Sequence, residues 1–202
     1  MAGPSRSTSL HPDDAGAGPR GGPAAKPVRR VLVTVSSRHG ATRDIARAIG
    51  DRLEQDEGCQ AAGVRVVVLP VEQHPDPAPY DAVVLGSAVY AGRWLEPARE
   101  YATTYAAALR DKPVWLFSSG PIGARPFPPD EPHDAGPLRR VTGALGHRVF
   151  PGRLDKQLLG FGERAMVTAM RAPIGDFRDW DAVREWADLI ATELAAAWAV
   201  LP

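Results

Sequence analysis

Three short stretches rich in serine, glycine and threonine each follow a run of apolar, mostly β-branched residues. They are SSRHGAT at residues 36–42, GSAVYAG at 86–92 and SSGP at 118–121. Hydroxyl groups donate hydrogen bonds, and glycine lets backbone N–H groups approach a ligand closely. The three stretches are therefore the candidate binding residues of this protein.

The stretch from Ser37 to Thr42 lies where a helix is predicted to begin. A phosphate at such a position gains hydrogen bonds from unpaired backbone N–H groups and the positive end of the helix dipole. Gly40 allows close approach, Ser37 and Thr42 supply hydroxyl donors, and Arg38 or Arg43 would add positive charge unless they point to solvent. The stretch contains neither GxxxxGK[ST] nor GxGxxG. An ordinary capped turn is the alternative to a phosphate loop.

Metal-dependent and serine-nucleophile chemistry have no recognisable pattern in the sequence. His11 is near the N-terminus and His74 and His133 are in Pro-rich stretches, so only His39 and His147 border predicted elements. These spacings match no zinc site. The sequence GSAVYAG does not match GxSxG, the motif of a nucleophilic serine. We therefore predict neither a metal site nor a serine nucleophile.

Composition also narrows the classes of partner. Lys plus Arg and Asp plus Glu both number 24, so no net charge draws the chain to nucleic acid. No apolar run is long enough to span a membrane. Cys59 is the single cysteine and cannot form an internal disulfide, which favours a reducing, cytoplasmic location.

Strand-like and helix-like patterns alternate along the chain. Alternation of this kind indicates an α/β fold with a parallel sheet and helices on both faces. Ligands of such sheets bind beyond the carboxyl ends of the strands, so we expect the three stretches to share one edge. Strands are predicted at 28–37, 64–70, 80–90, 112–120 and 147–152. Helices are predicted from Ala41 or Thr42 through Leu53, at 94–109, around 138–145, and over Val183–Trp198 with Asp179 or Asp181 as N-cap.

The N-terminal residues differ in composition from the rest of the chain. Residues 1–27 are rich in Gly, Pro, Ala and Ser and contain few apolar side chains. Such a segment cannot bury enough apolar surface to offset its loss of chain entropy. We predict a disordered tail over residues 1–27 and one domain over residues 28–202.

The chain resembles the flavodoxin-like proteins. Their phosphate loop has the pattern [ST]-x-T-G-x-T, which residues 37–42 match except that His39 replaces the central threonine. The stretches SSRHGATRDIA at 36–46 and VVLGSAVYAGRW at 83–94 are most similar to the branch that contains the menaquinone-dependent protoporphyrinogen oxidases. The arrangement of residues 150–187 is similar to the same branch, and the resemblance spans Val31 to Trp198.

This resemblance implies a three-layer fold whose five-stranded parallel sheet has the order 2-1-3-4-5 and holds FMN at its edge. Tyr90 or Trp94 would stack on the flavin ring, whereas Trp115 and Phe117 would lie in the core. The phosphate would be held by Ser37, Arg38, His39, Gly40, Ala41 and Thr42. One side of the ring would contact Ser87, Ala88, Val89 and Tyr90, and the other Ser118, Ser119 and Gly120.

Residues 153–175 are an addition relative to a minimal flavodoxin. Three uses are open for them: a wall over the flavin edge, a homodimer interface, or contact with a membrane surface near quinones. Packing on the domain itself is the simplest alternative. Their expected apolar face comprises Leu154, Leu158, Ala165, Met166, Ala169 and Met170.

Three functions are compatible with these features. The first is an FMN-dependent oxidoreductase similar to the protoporphyrinogen oxidases, acting on a quinone or another small molecule. The second is an electron carrier of the flavodoxin type that docks redox partners. The third is an interaction module without FMN, which the presence of His39 in the phosphate loop keeps open.

Overall fold

A computed structural model describes residues 28–120, 131–169 and 171–199. The strands are β1 (Arg29–Ser36), β2 (Val64–Pro70), β3 (Ala82–Tyr90), β4 (Arg93–Trp94), β5 (Val114–Ser119), β6 (Gly146–Phe150), β7 (Arg153–Leu154) and β8 (Gly175–Asp176). The α-helices are α1 (Ala41–Gln55), α2 (Glu57–Ala61), α3 (Glu96–Thr104), α4 (Ala106–Arg110), α5 (Ala135–Thr142), α6 (Phe161–Ala169) and α7 (Trp180–Ala199). A 3₁₀ turn covers Val71–Gln73.

The five long strands form a parallel sheet in the order β2-β1-β3-β5-β6. Counted among the long strands alone, this is the order 2-1-3-4-5, so the predicted α/β architecture is confirmed. The chain leaves β1 towards β2 and then returns to the other side of β1 to form β3. That reversal is the topological switch point, where the carboxyl ends of β1 and β3 lie side by side.

The sheet is covered on both faces because side chains alternate along its buried strands. Val31, Val33 and Val35 of β1 join the apolar cluster under α1 and α7. Leu32, between them, joins the cluster under α3, α4 and α5. The sheet is thus the middle layer between the two clusters.

Several predicted bounds differ from those observed. The second predicted helix is divided into α3 and α4 at Tyr105, whose backbone leaves the helical conformation. The helix expected around residues 138–145 begins earlier, at Ala135, and ends at Thr142. Its C-cap, Gly143, adopts a left-handed conformation with φ 71°. The N-cap of α7 is Asp179, whose carboxylate accepts a hydrogen bond from the Ala182 N–H at 2.9 Å.

Small elements that the sequence patterns did not predict surround the switch point. A two-residue turn at Ala91 and Gly92, both with positive φ, brings β4 back antiparallel to β3. Strand β7 pairs with β8 in a separate antiparallel ribbon that closes off residues 155–174. The predicted tail at 1–27, part of the Pro-rich stretch at 121–130 and Met170 lie outside the described residues.

Candidate functional site

A pocket opens at the carboxyl ends of β1, β3 and β5. Nine of the thirteen predicted site residues line it: Ser37, Arg38, His39, Ala41, Ala88, Val89, Tyr90, Ser119 and Gly120. The other lining residues are Ala91 in the turn after β3 and a set from the segment after β6: Gly152, Arg153, Leu154, Asp155, Leu158, Leu159, Glu163, Val167 and Ala172.

The first wall is the turn between β1 and α1. Gly40 is the N-cap of α1 and has φ 84°, a left-handed conformation that favours glycine. Gly40 has no side chain that could cap the helix, so no N-cap side chain pairs with the first backbone N–H groups of α1. Ser37 Oγ is buried and has no hydrogen-bond partner among the described residues. The turn therefore presents donors that an anion would satisfy.

Thr42 lies just beyond this turn but belongs to the core. It is 2% exposed and shares the buried face of α1 with Ile45 and Ile49. It does not line the pocket, so any contribution of its hydroxyl to a phosphate would come from behind the turn.

The second wall is the end of β3 together with the hairpin to β4. Ser87 does not line the pocket: its hydroxyl donates to the Ala88 carbonyl and accepts from the Leu95 N–H. Tyr90 is 37% exposed, and the Arg38 guanidinium lies over its ring at 4.8 Å from the centroid. Tyr90 is thus available at the pocket, with one cation already beside it.

Trp94, the other candidate for ring stacking, is excluded by its position. It is 2% exposed in the core cluster under α3 and α5. Its indole Nε1–H donates to Ser118 Oγ at 2.7 Å. Trp115 and Phe117 are likewise core residues, as expected.

The third wall is the end of β5, where consecutive serines face in opposite directions. Ser119 lines the pocket, and its buried Oγ has no partner among the described residues. Ser118 is fully buried on the other side and contacts His147 Nε2 at 2.8 Å. The His147 Nδ1 atom is 2.6 Å from Glu131 Oε1. In this Glu–His–Ser arrangement Ser118 and the His147 side chain are buried, whereas Glu131 is exposed.

The fourth wall is the segment between β7 and β8, which we call the cover (residues 155–174). Leu154, just before it, and Leu158 within it line the pocket, and both belong to the expected apolar face. Ala165 and Ala169, which were expected on the same apolar face, are exposed. Val167 of the same helix lines the pocket. The helix α6 of the cover begins at Phe161.

Glu163 is the functional candidate that sequence reasoning missed. Its carboxylate contacts Arg38 Nη1 at 2.9 Å and His39 Nε2 at 3.1 Å. Hydrogen bonds from the Gly160 N–H and from Arg38 and His39 lower the pKa of Glu163 to about 2. No local signal marked this residue, because its contacts with Arg38 and His39 join segments that are more than 120 residues apart.

The described residues contain no group of three or more His, Cys, Asp or Glu side chains able to hold a metal ion. None of the described helices has the length and apolar character needed to cross a bilayer. The pocket offers buried hydroxyl groups without a partner among the described residues on two of its walls, charged side chains at Arg38, Arg153, Asp155 and Glu163, and apolar side chains on the cover.

Comparisons with known proteins agree with this architecture. The family model described as "Flavodoxin domain" matches residues 32–181. No curated protein matches the sequence significantly.

Solved structures with the same fold are distant in sequence. A flavodoxin from the domain Archaea is 15% identical with a TM-score of 0.51, over 82% of this chain and 98% of its own. An oxidoreductase from Corynebacterium diphtheriae is 15% identical with a TM-score of 0.52, over 84% and 96%. The flavodiiron protein from Giardia intestinalis is 16% identical with a TM-score of 0.52, over 84% of this chain and 36% of its own. These likenesses establish the fold.

Proposed function

Because this chain belongs to the flavodoxin domain family, we propose that it binds FMN in the pocket at the carboxyl ends of β1, β3 and β5. Two orphaned donors support the fit. Ser37 Oγ lies in the turn before α1, where the phosphate would bind, and Ser119 Oγ lies on another wall of the pocket. Both hydroxyls are buried without a partner among the described residues, a costly arrangement that a polar ligand would relieve.

We further propose that the protein is an oxidoreductase with a flat, apolar acceptor, such as a quinone or a porphyrinogen. FMN, when bound, supplies reversible transfer of electrons. The observation that carries the proposal is the apolar wall beside the serine-rich loops. Leu154, Leu158, Leu159 and Val167 line the same pocket as Ser37. The similarity of residues 150–187 to protoporphyrinogen oxidases supports the same substrate class.

In this proposal each wall has a separate task. The turn at Ser37 and Gly40 anchors the phosphate through its donors. Ala88, Val89 and Gly120 provide close, uncharged contact for a flat ring. The leucines of the cover exclude water and accept the apolar substrate.

A flavodoxin-type electron carrier is the second candidate, and one observation favours it. Tyr90 is 37% exposed at the pocket, so an aromatic group is accessible to a redox partner there. A carrier would exchange electrons through an exposed flavin edge and would need no apolar substrate wall.

The visible spectrum of the purified protein tests FMN binding. We expect bands near 370 and 450 nm, which are those of oxidised flavin, on adding FMN to ligand-free protein. If the spectrum is featureless after incubation with FMN and desalting, the protein does not bind FMN. The remaining hypothesis is then an interaction module without this cofactor.

Substitutions at two leucines of similar exposure distinguish the enzyme from the electron carrier. Leu158 lines the pocket and is 46% exposed, whereas Leu189 lies on α7 away from the pocket and is 51% exposed. Leu158→Ser should raise the KM for a soluble quinone about fivefold, the effect of losing about 1 kcal/mol of apolar contact, and retain FMN. Leu189→Ser should change neither. An unchanged KM in Leu158→Ser would favour the carrier or place the substrate elsewhere.

The proposal extends to partners and location. The exposed Phe161 and Leu158 of the cover offer a contact for a redox partner or a quinone-bearing membrane surface. A homodimer through the same residues is the competing arrangement, and sedimentation of the protein over a range of concentrations distinguishes it. The buried, free Cys59 is consistent with a reducing, cytoplasmic compartment.

A further inference from the structure

The carboxylate of Glu163 belongs to two structures at once. Gly160 is the N-cap of α6, since its carbonyl accepts the Arg164 N–H at 2.9 Å. Glu163 is therefore the third residue of the helix, and its Oε2 accepts from the Gly160 N–H at 2.8 Å. This is the Glu half of a capping box, which stabilises the start of α6.

The other oxygen of the same carboxylate leaves the cover and reaches the phosphate turn. Glu163 Oε1 is 2.9 Å from Arg38 Nη1 and 3.1 Å from His39 Nε2. Arg38 in turn lies over the ring of Tyr90, on the second wall of the pocket. Glu163, Arg38 and Tyr90 thus connect three walls of the pocket, and we call them the clasp.

Most of the described side chains of α6 are exposed. The exposed residues are Phe161, Gly162, Arg164, Ala165, Thr168 and Ala169. The Arg38 side chain is 52% exposed and that of Glu163 is 23% exposed. Ion pairs at this exposure are weak and sensitive to salt. The clasp is therefore a contact that can open under ordinary conditions.

We propose that Glu163 is a positioning residue that holds the cover closed on the phosphate turn, so that ligand exchange at the pocket requires its carboxylate to leave Arg38 and His39. The role of the clasp in ligand exchange rests on the proposed function, because it requires FMN to bind in the pocket. Closure of the cover by the clasp does not depend on FMN. Loss of the clasp should loosen residues 155–169 and speed both entry and release of FMN.

Hydrogen exchange of the ligand-free protein tests closure independently of any cofactor. In Glu163→Gln we expect amides of residues 155–169 to exchange about two- to fivefold faster, the range of an exposed ion pair. Glu185→Gln is the matched control, since Glu185 is exposed on α7 away from the pocket. Arg38→Gln breaks the same pair but leaves the cap of α6 in place. It should produce the same loosening even if Glu163→Gln folds poorly.

The rates of FMN binding and release test the consequence. Stopped-flow fluorescence should give association and dissociation rates that both rise about two- to fivefold in Glu163→Gln. Added salt should speed both rates in the parent and have less effect in the variant, because screening weakens the same ion pair.

The possible outcomes separate the two proposals. Unchanged exchange over residues 155–169 in both variants overturns the clasp, whatever FMN does. Faster exchange in a protein that binds no FMN supports closure by the clasp and overturns the proposed function. Faster exchange with unchanged FMN rates overturns the role of the clasp in ligand exchange.

Discussion

Ser36 and Ser37 are neighbours in sequence with opposite surroundings. Ser36 Oγ donates to Glu72 Oε1 at 2.7 Å, whereas Ser37 Oγ is buried without a partner among the described residues. The difference follows from the alternation of side chains at the end of a strand, which turns one serine inward and the other to the pocket. Ser37 is therefore the hydroxyl with most to gain from a ligand.

Ser37→Ala should weaken FMN binding about tenfold, the effect of losing one hydrogen bond to a charged group. The ligand-free variant should be as stable as the parent, because the hydroxyl removed has no partner there. Fluorescence titration and chemical denaturation measure the two quantities. Ser36→Ala is the control and should show the reverse, with lower stability and unchanged affinity. Equal affinities in the parent and Ser37→Ala would mean that the phosphate binds elsewhere.

Gly86 is a position at which the structure leaves no space for a side chain. A Cβ at this position would lie 2.1 Å from Phe117 Cζ, inside the ring of a fully buried side chain. Gly86→Ala should lower the free energy of unfolding by about 1–3 kcal/mol, the usual cost of overpacking. Gly162→Ala is the control, because its Cβ would meet no atom within 4 Å. Urea denaturation curves that coincide for Gly86→Ala and the parent would contradict the packing described here.

At the scale of elements, a chain of hydrogen bonds ties β4, β5 and β6 together. Glu131 accepts from His147 Nδ1, so the imidazole Nε2 is free to accept from Ser118 O–H. Ser118 Oγ in turn accepts from Trp94 Nε1–H. These donor and acceptor roles require a neutral His147, because both ring nitrogens of a protonated imidazole are donors. Burial lowers the pKa of His147, and the hydrogen bond that its Nδ1–H donates to Glu131 opposes the shift.

The pH dependence of stability should report this chain. In the unfolded state histidine takes up a proton near its ordinary pKa of about 6.5, whereas folded His147 does so only at lower pH. Protonation therefore favours the unfolded state, so this contribution is complete above pH 7 and declines as the pH falls through 6.5. As the pH falls from about 7.5 to 5.5, the denaturation midpoint of the parent should approach that of His147→Asn. Parallel pH profiles would show that His147 does not contribute.

At the scale of the whole molecule, the parallel topology assembles the pocket. Four strand ends from distant parts of the chain meet at one edge, and the ribbon of β7 and β8 returns the cover to that edge. On the opposite side of the sheet from α3 and α5, the ion pair between Arg52 and Asp188 joins α1 to α7. Arg178 additionally contacts Asp44 in the first turn of α1 at 2.9 Å.

Residues 1–27 should be dispensable for this assembly, since their composition provides few apolar groups for docking. A chain that begins at Val28 should keep its FMN content and melt within about 2 °C of the parent. Thermal unfolding followed by circular dichroism, with the flavin absorbance, measures both. A chain shortened by eight further residues loses most of β1 and should not fold. A drop of several degrees on removing residues 1–27 alone would make them part of the fold.

Much of the architecture could be predicted because its signals are local. The apolar runs at β1, β3 and β5 determine buried strands, and the alternation with helices determines a parallel sheet. Parallel strands place their carboxyl ends together, so the serine-rich stretches were expected at one edge. Asp179 was one of two N-cap candidates on residue type alone, and the structure selects it.

Other features depend on contacts between residues far apart in sequence, which local patterns do not encode. Whether Trp94 faces the pocket or the core depends on the two-residue turn that folds β4 onto β3. Ser118 and Ser119 have the same residue type, and only the register of β5 between β3 and β6 directs one to His147 and the other to the pocket. The contact of Glu163 with Arg38 spans 125 residues and arises because the β7–β8 ribbon carries the cover back over the first turn. Side-chain periodicity governs what lies next along the chain, whereas the packing of distant segments governs what meets in space.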